Sequence, residues 1–144
     1  MQITPAEIVE TLVMIQQQNL DVRTITLGLS LAGCAHESVD ETARRVYDRV
    51  TSVAENLVNV SEALACEYGV PIVNQRVSVT PVAQIASACT AEDLTPIASA
   101  LDRAACEVGV DFIGGFSALV HKGIGDADRR LIASIPDALA STSR

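Results

Sequence analysis

The stretch that decides the fold runs from residue 109 to residue 123 and reads Gly109-Val110-Asp111-Phe112-Ile113-Gly114-Gly115-Phe116-Ser117-Ala118-Leu119-Val120-His121-Lys122-Gly123. Gly109 is typical of a helix end, because glycine readily adopts the left-handed conformation that closes a helix. The short apolar run after it predicts a strand. The Gly-Gly pair then lets a backbone or a ligand come close, since no Cβ blocks the approach. The stretch is either part of a site or a plain strand-to-helix turn.

The same helix end and strand start occur earlier in the chain. Cys66-Glu67-Tyr68-Gly69-Val70-Pro71-Ile72-Val73 resembles Cys106-Glu107-Val108-Gly109-Val110-Asp111-Phe112-Ile113. A first helix and strand, joined through Asn19, follow the same plan more loosely. Helices that alternate with strands predict an α/β fold with parallel strands and right-handed crossovers. We expect one domain over residues 1–144, forming the N-terminal portion of a larger barrel.

Local signals give approximate bounds for these elements. They predict helices at about 5–18, 38–68 and 90–108, strands at about 22–31, 71–81 and 110–116, a short helix or turn at about 82–88, and a last helix from about 126. Thr4 with Glu7 and Ser38 with Glu41 predict capping boxes. The second helix carries one apolar stripe, formed by Val46, Val50, Val53, Leu57, Val60 and Leu64. Pro136 must kink or restart the last helix.

The first two strands each have one polar face. Thr24, Thr26, Gly28 and Ser30 share a face of the first strand, and Asn74, Arg76, Ser78 and Thr80 share a face of the second. Strands of a helix-covered parallel sheet should be apolar on both faces. The polar face is therefore open to solvent, lines an enclosed cavity, or is covered by a partner with Arg76 in a salt bridge. In a cavity, Arg76 would anchor a carboxylate or a phosphate, because guanidinium binds both bidentately.

The candidate site combines this polar face with the turn after the third strand. The predicted substrate-binding residues are Thr24, Thr26, Asn74, Arg76, Ser78, Thr80, Gly114, Gly115, Phe116, Ser117 and Lys122, and the two glycines would leave room for the ligand. Ser117 and His121 are the catalytic candidates, although the exposed start of a helix explains His121 better. The sequence has no G-x-S-x-G elbow, no P-loop and no complete G-x-G-x-x-G, so the reaction and any cofactor are unknown.

Composition excludes several classes of partner. The formal charge of -8 argues against a nucleic-acid or anionic-membrane surface, since both need clustered Lys and Arg. No apolar run reaches the roughly 18 residues of a membrane span. The N-terminus lacks the basic start and apolar core of a signal peptide, which predicts a cytoplasmic protein.

The cysteines predict no metal site. Cys34, Cys66, Cys89 and Cys106 include no C-x-x-C pair, and their spacing fits neither zinc nor an iron–sulfur cluster. Cys34 and His36 form a Cys-x-His pair that has no further ligands nearby. A loop with incidental polar residues explains that pair better than metal binding or catalysis.

Five blocks of sequence resemble a family known as the uncharacterised "PFL family" proteins. The blocks are Thr24-Ile25-Thr26, Pro71 to Pro81, Gly109 to Val120, Lys122-Gly123 and Ser134 to Ala140. The resemblance implies part of an α/β barrel like that of the glycyl-radical enzymes, named for pyruvate formate-lyase, with strands lining a central cavity. It also implies a possible ACT-domain regulator as partner. Family members are about three times as long, and this chain lacks the Arg-Val-x-Gly-Tyr radical loop, so radical catalysis is not implied.

Two functions are consistent with these patterns. The first is the N-terminal part or split subunit of such a barrel enzyme, which acts on a small anionic metabolite and is completed by a second polypeptide. The alternative is a non-catalytic binding or scaffold module that oligomerises through exposed sheet edges, because unpaired edges invite strand pairing.

Overall fold

Three parallel strands form one sheet, in which β2 lies between β1 and β3. The strands are β1 (Thr24–Leu29), β2 (Asn74–Val79) and β3 (Phe112–Gly114). The computed structural model describes residues 4–17, 24–121 and 123–144. Parallel neighbours need long crossovers, which the helices between the strands supply. The predicted α/β class with parallel strands is therefore confirmed.

Six α-helices lie in the described residues. They are α1 (Pro5–Gln16), α2 (Val39–Ala54), α3 (Leu57–Tyr68), α4 (Val82–Ala86), α5 (Thr95–Val108) and α6 (Asp126–Ser141), with a short 3-10 turn at Ala32–Cys34. The α2 helix packs along α5, and α6 contacts both α4 and α5. The predicted residues 18, 22 and 23 at element ends lie outside the described residues.

Local chemistry sets most helix ends as predicted. Thr4 and Glu7 form the expected capping box at the start of α1. Gly69 and Gly109 close α3 and α5 with φ of 64° and 76°, in the left-handed region that glycine tolerates best. At α2 only half of the predicted box forms, because the Glu41 side chain binds Arg44 and Arg45 instead of the cap backbone.

The two faces of the sheet differ sharply in burial. Leu29, Val77 and Val79 belong to one buried cluster with α2 and α5 residues such as Val50 and Ile97. The opposite face is exposed along Thr26, Gly28, Arg76, Ser78, Phe112 and Gly114. Helices thus cover one face, and the alternation predicted for the first two strands holds.

Several predicted bounds were wrong. The long second helix is two helices, α2 and α3, separated at Glu55 and Asn56, and its predicted stripe is not buried throughout: Val50 is buried, but Val53 and Val60 are exposed. The next helix begins at Thr95 rather than near residue 90; its N-cap residue, Leu94, makes no side-chain cap, and the Thr95 N–H donates to Asp93 Oδ1 at 2.8 Å. α6 continues through Pro136 rather than restarting there.

The sheet is open rather than closed. Across the described residues β1 and β3 are its outer strands, and β3 is only three residues long, shorter than the predicted strand. These strands do not form a barrel. None of the helices in the described ranges has the length and apolar content that crossing a bilayer needs.

Candidate functional site

The exposed side of the sheet is the main candidate surface. We call it the polar sheet face; it consists of Thr24, Thr26, Gly28, Asn74, Arg76, Ser78, Phe112 and Gly114. Strand register aligns these residues in rows: Thr26 beside Arg76 beside Phe112, and Gly28 beside Ser78 beside Gly114. Given the spacing of strands and residues, the patch measures about 10 Å by 13 Å, which matches a small metabolite.

Arg76 lies at the centre of the polar sheet face. Its guanidinium carbon is 5.2 Å from the centre of the Phe112 ring, so the aromatic face holds the cation in place. Within residues 4–17, 24–121 and 123–144, Arg76 makes no ion pair. The alternative of a salt bridge to a covering partner stays untested, and no acidic side chain of the described residues occupies the guanidinium.

A shallow notch borders Arg76 on the carboxyl side of the sheet. Cβ atoms built at Gly28 and Gly114 would meet nothing within 4 Å. Between these two glycines, Ser78 contributes only a hydroxymethyl group. The notch offers one hydroxyl and open backbone beside a cation, and a ligand at Gly114 stays a prediction.

Gly115 has a different role from Gly114. Its φ is +129°, and a Cβ there would lie 2.4 Å from Val79 Cγ2 and 2.6 Å from Val79 O. The residue lacks a side chain because the turn packs directly on β2. Phe116 follows it and packs, half-buried, against the core. At Gly115 and Phe116 the structure therefore shows internal packing instead of the open space that a ligand would need.

The turn after β3 also holds the start of α4. Gly115 O accepts from Val82 N at 2.9 Å, and Ser117 O accepts from Ala83 N at 3.2 Å. The Ser117 hydroxyl is exposed and donates to Gly115 O at 3.4 Å. Thr80 serves a similar purpose, since its Oγ1 accepts from Leu31 N at 3.1 Å and joins the ends of β1 and β2. These polar groups stabilise the carboxyl edge of the sheet.

The two catalytic candidates are not joined by a hydrogen bond. His121 is exposed in the loop between β3 and α6, where it forms an isolated bridge with Gly123. Within the described part of the chain, Ser117 has no hydrogen bond to His121. A nucleophile and its base need to be within hydrogen-bond reach, so this geometry adds no support for a pair. Lys122 lies outside the described residues.

Comparison with known proteins places this fold in a family. Residues 13–144 match the family described as Uncharacterised ACR (DUF711). The chain belongs to this family. A "UPF0210 protein" of Desulforamulus reducens is 54% identical over 138 residues, which are 96% of this chain and 30% of that protein. A "UPF0210 protein" of Methanococcoides burtonii is 51% identical over 144 residues, which are 100% of this chain and 32% of that protein. The chain therefore spans about a third of these curated relatives.

This family assignment corrects the one made from sequence motifs. The resemblance to "PFL family" proteins was wrong, because the family model and the relatives are DUF711 and UPF0210 proteins. The likeness to glycyl-radical enzymes, which that resemblance implied, is therefore also unsupported. An ACT-domain regulator was suggested by that resemblance alone, and it stays untested.

The Cys-x-His pair of this DUF711 chain has internal partners. Cys34 is buried, its Sγ donates to Arg45 O at 3.5 Å, and burial raises the pKa of the thiol. His36 Nδ1 accepts from Ser38 N at 3.1 Å. Both side chains thus make hydrogen bonds to α2 or to the segment that leads into it. Across the described ranges, no three His, Cys, Asp or Glu side chains are grouped to hold a metal ion.

One residue of the site was missed in the sequence. Phe112 belongs to the polar sheet face, where it is half exposed and supports Arg76. The available signal was its position two residues before Gly114, which places both on the same side of a strand. An aromatic residue in an apolar run suggests the core, and only the register with β2 reveals its other use.

Proposed function

We propose that this chain forms part of an enzyme that binds a small anionic metabolite, a carboxylate or a phosphate, on the polar sheet face. The observation that carries the proposal is the exposed guanidinium of Arg76, which has no ion pair in the described residues and is held over Phe112. A fixed guanidinium binds a carboxylate or phosphate through two parallel hydrogen bonds. Thr26, Asn74 and Ser78 supply further polar groups around it.

The polar sheet face needs a cover to become an enclosed site. Parallel sheets are almost always covered on both faces, and the described residues cover only one face of this one. The curated relatives are about three times as long as the matched region, so they have the length to supply more strands and helices. We propose that such strands extend the sheet into a barrel, in the same polypeptide or in a second one. The catalytic roles of Ser117 and His121 and a cytoplasmic location remain predictions.

A non-catalytic scaffold is the second candidate. Its support is the apolar surface of α1, where Ile8, Val9 and Leu12 are all exposed, together with the outer edges of β1 and β3. Both features favour association with another chain. A module of this kind would not require an anion at Arg76.

Native mass separates the two functions. The protein is isolated from its source and measured by light scattering on a sizing column, with mass spectrometry of every chain in the peak. A longer polypeptide that contains this sequence, or a second chain in fixed ratio, supports the covered site. A lone monomer or homodimer of 144 residues contradicts it and favours the scaffold.

Replacing Arg76 with glutamine should weaken anion binding by that assembly about 10- to 100-fold, since hydrogen bonds to charged groups contribute about 1.5–3 kcal/mol. Isothermal titration with inorganic phosphate and with acetate measures the affinity. The matched control is Arg103→Gln, because Arg103 also stacks on an aromatic ring, that of Tyr47 at 5.3 Å. Equal affinity in both variants would contradict the site. Loss of folding in Arg76→Gln alone would instead indicate a buried ion pair with the cover.

A further inference from the structure

Apart from the polar sheet face, the structure has a cleft between α2 and the turn that follows β1. Its volume is about 540 Å³, and its lining includes Ser30, Gly33, Arg45, Arg49 and Ser52. Ser30 directly follows the last residue of β1. The cleft is therefore at the carboxyl end of a parallel strand, which is where open α/β sheets bind their ligands. We call it the α2 cleft.

The wall formed by α2 presents donors in a row. Arg45, Arg49 and Ser52 are spaced by four and then three residues, so they lie on one side of the helix. The opposite wall offers little obstruction, because a Cβ at Gly33 would meet nothing within 4 Å. Ser30 Oγ accepts from Ala32 N at 3.4 Å and keeps its own hydroxyl proton to donate.

The charges of α2 leave Arg49 without a partner in the described residues. Arg44 pairs with Glu41 and Asp48, both at 2.8 Å, and Arg45 Nε pairs with Glu41 Oε1 at 2.8 Å. Hydrogen bonds from these two arginines lower the pKa of Glu41 to about 2, so its carboxylate stays ionised and occupied. Asp48, the acidic residue of the cleft lining, is already engaged by Arg44.

We infer that the α2 cleft binds a small oxyanion, a phosphate or a carboxylate group, with Arg49 as its main ligand. Arg45 is held by Glu41 through its Nε, and its remaining guanidinium donors and the hydroxyls of Ser30 and Ser52 complete the set. The chain as a whole carries a net charge of -8, whereas the cleft lining has two arginines against one aspartate, Asp48. This site is separate from the polar sheet face and does not depend on Arg76.

An amide NMR titration of the 144-residue chain tests this inference. Inorganic phosphate and, separately, acetate are added at constant ionic strength, and the signals of Gly33, Cys34 and the cleft side of α2 are followed. We expect saturable shifts in these signals and an affinity at least tenfold lower in Arg49→Gln, from the loss of charge-assisted hydrogen bonds. The anion that binds more tightly identifies the group as phosphate or carboxylate.

Two controls carry the same loss of charge. Arg103→Gln lies on α5 and Arg129→Gln lies on α6, and neither residue lines the cleft. Both should bind within about twofold of the unaltered chain. Equal weakening by Arg103→Gln and Arg49→Gln would mean that only net charge matters, and shifts spread evenly over the surface would mean the same. Either result overturns the site, whether or not Arg76 binds an anion.

Discussion

Replacing Gly115 with alanine is expected to destabilise the chain by about 3 kcal/mol or more, since both overpacking and a strained backbone conformation contribute. The new Cβ would lie 2.4 Å from Val79 Cγ2 and 2.6 Å from Val79 O, and the residue already has φ of +129°. A side chain can rotate away from a clash, but the carbonyl of a central strand cannot. The turn must therefore move off β2, and Gly115 O then loses Val82 N, its donor at 2.9 Å.

Gly114→Ala is the matched control for this change. A Cβ at Gly114 meets nothing within 4 Å, and its backbone is not in the left-handed region. We expect a change of less than about 1 kcal/mol, in the range of ordinary surface substitutions. Urea unfolding followed by circular dichroism gives both values. Similar stabilities for the two variants would show that the turn does not pack on Val79 as described.

Local chemistry explains how much of the fold was predictable. The capping box of Thr4 and Glu7 and the glycine caps at 69 and 109 depend on neighbouring residues, so the sequence contains the whole cause. Strand faces follow a period of two and are equally local. The break between α2 and α3 is different, because the spacing of apolar residues continues across it. The periodicity of apolar residues therefore does not predict where α2 ends.

The candidate site was also predictable only in part. Polar residues at alternating positions of β1 and β2 identified the polar sheet face, but its central pair depends on the register of two strands distant in sequence. Arg76 lies opposite Phe112 only because β3 pairs with β2 in that alignment. Gly115 shows where local sequence misleads. A glycine next to a strand was interpreted as room for a ligand, whereas Val79 fills the space beside it.

Replacing Leu131 with alanine is expected to cost about 2–5 kcal/mol of unfolding free energy, the usual range for a buried leucine. Leu131 is 0% exposed in the core next to α5, whereas Leu139 on the same helix is 74% exposed. Leu139→Ala should therefore change the stability of this chain by less than about 0.5 kcal/mol. Thermal and urea unfolding of both variants measure the difference. Equal costs would contradict the burial of Leu131 on the inner face of α6.

The same pair of leucines also tests how far a cover extends. If strands and helices from the rest of a longer protein pack beside β3, they meet the outer face of α6, where Ile132 and Leu139 are exposed. Leu139→Ala would then cost about 1–3 kcal/mol in the complete assembly, because burial of a leucine contributes roughly that amount. An equally small cost in both contexts would confine the cover to the polar sheet face. The contrast between chain and assembly thus measures, at one residue, whether the rest of a longer protein covers α6.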